Sequence, residues 1–168
     1  MTDVQRVSVT YSVLLIGDRR PRLRAFGVTG LLFFVSSVGF LAGSEIGFGT
    51  LFGFSSVAVA LYAGIKRGGI LTAQFAVFAS ICWRAVFPPL IGYLRWDAGQ
   101  WTIETIPARY DTIRSVQIFL GPKGELEWGI RHALLEGTLI ALFVGSAIYG
   151  TGALYRHLRR DDPSTHRM

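Results

Sequence analysis

His132 and Glu136 stand four residues apart, the spacing that stacks two side chains on one face of a helix. An imidazole beside a carboxylate can relay a proton or offer a metal two ligands. A metal site needs at least three protein ligands, and no further His or Cys falls near this level of the chain. The pair therefore stands as a proton relay or as the polar entrance to a helix, and no metal or other cofactor is expected.

Arg84 raises a second question. It lies in ASICWRAVFPPLIGYLRW (79–96), a stretch whose first part is apolar enough to cross a membrane. A charge at the bilayer centre costs roughly 2.5 to 3.5 kcal/mol on insertion scales, so Arg84 needs a partner or a route to water. Pro88 has no N–H for the carbonyl of Arg84, and Pro89 none for that of Ala85, so a break or kink is expected there. Glu136 and Glu45 fall at a matching depth. Arg84, Glu136, His132 and Glu45 thus form a candidate polar cluster. It has three readings: a structural Arg84–Glu136 ion pair, an arginine snorkelling alone to water or headgroups, or a functional polar site. Arg84 follows Ala76 and Ser80 at four-residue steps, so it is expected to point into the bundle.

Other chemistry lacks its residues. The sequence holds no Gly-rich phosphate loop, no HExxH and no G-x-S-x-G. Ser36, Ser37, Ser55 and Ser56 have no base nearby and read as helix serines bonded to their own backbone. No catalytic residue is assigned.

The elements that would position these groups are apolar runs. Of 168 residues 51% are hydrophobic and 17% charged, against about a quarter charged in a soluble domain. Uncharged runs of about 18 residues read as membrane spans. Four are expected, at 25–42, 48–65, 70–87 and 133–154. The fold class is then all-α: a polytopic membrane protein with a bundle of four transmembrane helices in one domain, 25–154. An N-terminal cytoplasmic or interfacial segment (1–24) and a basic tail (155–168) flank it. VSVTYSVLLIG (7–17) is too short to span and follows an Asp and an Arg rather than a basic cluster, so it is not expected to be a cleavable signal. Its alternation resembles a strand, but with no strand to pair with, an interfacial segment is expected.

Basic residues orient the spans. Arg19, Arg20, Arg22, Arg24, Lys66, Arg67, Arg156, Arg159 and Arg160, with Arg6 and Arg167, give eleven cations on the side of both termini; five lie on the other. Both termini are expected to be cytoplasmic in a cell membrane, with those cations near anionic lipid headgroups. The net charge of +6 follows from these flanks, and no free basic patch points to nucleic acid. KRGG (66–69) is expected to cap the second span with its glycines. The outer loop, 95–131, carries Ile106, Tyr110, Ile113, Val116 and Leu120 at helical spacing, with Pro107 placed to open a helix, and reads as an amphipathic cap. ELEWGIRH (125–132) leads helically into the last span.

Small residues recur every fourth position: Ala133, Gly137, Ala141 and Gly145 in the fourth span, Gly39, Gly43 and Gly47 at the end of the first. Such faces let helix backbones approach, either within one bundle or between copies. The expected function is a non-enzymatic membrane-embedded subunit or scaffold, with a second copy or another membrane protein as partner. A small transporter or channel component using the polar cluster is the alternative.

Overall fold

A computed structural model describes residues 14–43, 47–110 and 120–160, and among these residues the chain is all-helical. Helix α1 spans Arg19–Leu41, α2 Phe48–Ile65, α3 Ile70–Asp97 and α4 Gly121–His132. One π-helical turn, Ala133–Gly137, joins α4 to α5, Thr138–Arg160. A 3-10 turn, Ala108–Tyr110, lies between α3 and α4. The stretches Leu14–Leu41, Ile70–Asp97 and Gly121–Arg159 are long and apolar enough to cross a membrane; α2 is a shorter apolar helix. Glu45, the strand-like 7–13 and residues 111–119 of the amphipathic segment lie outside the described residues.

Helices α2 and α3 form the central pair, and α1 and α5 each pack on both of them. The core is built from small side chains: Ala60, Ala63, Ala73, Val77, Ala141 and Tyr149 in one cluster, Ala25, Val59 and Ala76 in another. Alanine keeps helix axes close, so contact is made largely by backbone and Cβ atoms. Helices α1 and α3 begin, and α2 and α5 finish, at one end of the bundle. That basic end carries Arg19, Arg20, Arg22, Arg24, Lys66, Arg67, Arg156 and Arg159, and Arg160 closes α5 there. The opposite, aromatic end carries Phe40, Trp83, Trp101 and Tyr110.

The expected break at Pro88–Pro89 does not occur: α3 runs unbroken from Ile70 to Asp97, with both prolines buried. For Pro89 the reason lies on α4. Gly129 sits over the Ala85 carbonyl, the group Pro89 leaves without an N–H, so closely that a Cβ there would overlap the oxygen. A Cα–H neighbour and dense packing replace the lost bond. As expected, ELEWGIRH leads helically into the last span: α4, which begins at Gly121, continues through the π-turn into α5.

Candidate functional site

The polar pair straddles the start of the π-turn, His132 ending α4 and Glu136 lying in the turn. Trp128 stacks flat on His132, ring centroids 4.8 Å apart. Nδ1 of His132 stands 3.0 Å from Glu136 Oε2, though out of line for a hydrogen bond. The Glu136 side chain is 65% exposed and opens to the bundle exterior beside Leu135 and Leu139. Arg84 is elsewhere. It is exposed, and its methylene stem lies beside Gly49 at the start of α2, where an added Cβ would meet Arg84 Cγ at 3.6 Å. Among the described residues no ion pair joins Arg84 to Glu136. The structure brings His132 and Glu136 together and leaves Arg84 apart. Steps of four residues drift about 40° each on an α-helix. The sequence Ala76, Ser80, Arg84 therefore turns from full burial to the outside.

The small residues meet backbone. Ala133 and Ala141 are buried at 2% and 3% exposure. Gly137 packs on Ile81, and Gly145 lies against the Gln74 backbone, both on α3. Gly129 extends this stripe toward the aromatic end. Four such steps on an ideal helix would carry the stripe about 160° around; the extra residue of the π-turn takes back about 100° of that. The π-turn thus keeps α4 and α5 facing α3 along one line. Toward the basic end Gly64 of α2 and Gly152 of α5 cross with their backbones in contact. Gly39 is half-buried, whereas Gly43, at φ +79°, terminates α1 beyond its last turn.

Helix α3 is also the hydrogen-bonding hub. Trp83 Nε1 donates to Ser37 Oγ of α1 at 2.8 Å, Ser56 Oγ of α2 lies 3.2 Å from Ser80 Oγ, and Gln74 Nε2 donates to Ser146 Oγ of α5 at 2.8 Å. Ser37 and Ser56 each donate to a carbonyl of their own helix, as expected of helix serines.

A ring cluster closes the aromatic end. Trp83 stacks on Phe87, and Phe40 meets Trp83, Phe87 and Tyr110 edge-on. After α3 the chain folds back so that Tyr110, 1% exposed, packs on Gly92. Two cations cover it: the Arg109 guanidinium lies 4.7 Å from the Tyr110 ring centre, and that of Arg95 4.9 Å from Trp101. Arg109 also donates to the Tyr110 hydroxyl at 2.6 Å. The sequence places Tyr110 on the apolar face of an amphipathic cap, and its pairing with Arg95 and Arg109 carries no local signal.

The basic end is closed by backbone. Gly17 and Gly69, at φ +70° and +87°, lie back to back, and a Cβ on either would strike the other segment's main chain. Asp18 N–H donates to Arg67 O at 2.7 Å across the same junction. At the end of α2, Gly68 N–H reaches back to Ala63 O at 2.7 Å with Arg67 at φ 60°. That is a Schellman cap in which arginine, not glycine, occupies the left-handed position. Arg156 Nη1 donates to Gly64 O at 2.9 Å and so places a cation at the negative end of α2. Arg22 Nη1 reaches Ile16 O at 3.5 Å, while Arg19, Arg20, Arg24, Lys66, Arg67 and Arg159 are exposed.

Among the described residues no group of three or more His, Cys, Asp or Glu is arranged to hold a metal. No protein-family model matches this chain, and neither curated proteins nor solved structures yield a significant match.

Proposed function

We propose that the chain is an integral membrane protein of four spans, with both termini cytoplasmic, that serves as a non-enzymatic membrane-embedded subunit or scaffold. One observation carries this reading. Glycine and alanine faces draw the helices to backbone contact at Gly64–Gly152, Gly145–Gln74 and Gly129–Ala85, while large apolar side chains such as Phe34, Phe54, Leu135 and Phe143 face outward at 65%, 74%, 69% and 75% exposure. Small residues inward and large apolar residues outward is the arrangement of a bundle whose solvent is lipid. The inward use of the stripe makes it the bundle's own seam, so a partner would be met by the outer apolar faces.

The alternative, a transporter or channel component, draws on the His132–Glu136 pair at the start of the π-turn. Purified protein in liposomes separates the two. A scaffold leaves proton and ion flux at the level of empty vesicles; flux that Glu136→Gln abolishes would establish transport instead. Cysteines placed at Thr2, Gln100 and Ser164 in a Cys82→Ser background test the topology on intact cells. An impermeant thiol reagent should label Gln100Cys alone.

A further inference from the structure

A lateral groove of about 700 Å³ runs between α1 and α2 in the half of the bundle nearest the basic end. Gly27, Val28 and Leu31 line it from α1, Ala58 and Tyr62 from α2, and Arg24 stands at its basic end. These positions recur at successive turns, so the trough extends roughly 10 Å from the arginine into apolar surroundings. A Cβ added at Gly27 would meet nothing within 4 Å, unlike the glycines where α2 crosses α5. Glycine here leaves space open rather than admitting a neighbouring helix. Arg24 is exposed and makes no hydrogen bond or ion pair among the described residues. Two other lateral grooves, one lined by Cys82 and Leu134 and one by Gln74 and Leu142, have no charged side chain in their walls.

We infer that this groove holds one acyl chain of an anionic glycerophospholipid, with the lipid phosphate on the Arg24 guanidinium. The inference rests on the membrane reading above. Guanidinium matches phosphate with two parallel N–H donors, and Arg20, one turn earlier on α1, adds a second cation beside the headgroup. The order of the parts fits a lipid lying along the bundle: charge at the end, apolar trough inward. A second copy of the chain would instead bring two arginine-rich ends together.

Native mass spectrometry of the purified full chain in non-ionic detergent tests this with dioleoyl phosphatidylglycerol and dioleoyl phosphatidylcholine as probes. Retention of phosphatidylglycerol over phosphatidylcholine is expected. Arg24→Gln should weaken it about fivefold, the worth of one cation near an anionic surface. Gly27→Leu, whose Cβ would enter open space, should fill the trough and remove the bound lipid, as should Ala58→Phe from the opposite wall. Arg159→Gln, an exposed cation on α5, should leave binding unchanged. Equal retention of both lipids, undiminished binding in Gly27→Leu and Ala58→Phe, or an equal loss in Arg24→Gln and Arg159→Gln would each overturn the site. So would a dimer that Gly27→Leu dissociates. Carbonate-resistant membrane association of every variant is scored separately, so failure of the membrane reading is distinguishable from failure of the groove.

Discussion

The two ends of the bundle are closed by opposite means. At the basic end, main chain meets main chain: Gly17 on Gly69, Gly64 on Gly152, and a left-handed Arg67 finishing α2. At the aromatic end the work falls to large side chains, with Trp83, Phe40 and Tyr110 interlocked beneath Arg95 and Arg109. The first closure has no room for an added atom, and the second has no atom to spare. Stability at the two ends should therefore respond to substitutions of opposite kind.

The largest effect is expected from Tyr110→Ala, which empties a fully buried ring site and takes one ring from beneath Arg95 and Arg109; thermal or denaturant unfolding in detergent should show a loss of about 3 to 5 kcal/mol. Tyr110→Phe, which keeps the ring, should lose far less, and equal losses would mean that the hydroxyl rather than the packing closes this end. Next comes the converse change, Gly64→Leu, where the new side chain would meet the backbone of α5; about 3 kcal/mol of destabilisation is expected. The same substitution at Gly30 or Gly53, where a Cβ meets nothing within 4 Å, should be near neutral, and parity among the three would break the contrast between the ends. Arg156→Gln removes a cation from the negative end of α2 and should cost about 1 kcal/mol in the same measurement. An unchanged midpoint would reduce Arg156 to a topology signal. The smallest effect concerns Arg84 and Glu136. With no ion pair between them, Arg84→Ala and Glu136→Ala should add within about 0.5 kcal/mol. A coupling well above that would restore the pair expected from sequence.

Much of the helical framework was legible because it follows from hydropathy alone. The bounds of α2 are those of its uncharged run, and KRGG does end it, although Arg67 takes the conformation expected of a glycine. Failures arose where the deciding contact is distant in sequence. Pro88 and Pro89 predict a broken helix until Gly129, some forty residues on, is found over the freed carbonyl of Ala85. Counting in fours places Arg84 on the packed face, whereas the 40° drift of each step carries it outside. The same drift applies to the fourth-span stripe, whose period of four is too long for an α-helix. That period was the available signal for a wider turn. The cation–π cover of Tyr110 and the junction of Gly17 with Gly69 depend on chain reversals that no local pattern announces.

The wider turn also makes the protein sensitive to its own length. In a plain surface helix the loss of one residue is often absorbed at a frayed end. Here, deleting a single residue from 133–137 would let the segment relax to an ordinary α-helix, which would seem a local improvement. It would nevertheless rotate α4 by about 100° relative to α5. With α5 held at the Gly64–Gly152 crossing, Gly129 would leave the Ala85 carbonyl, and a bulkier neighbour would be presented to α3. A shortening of one codon would thus undo the accommodation of Pro89 through a change made on a neighbouring helix.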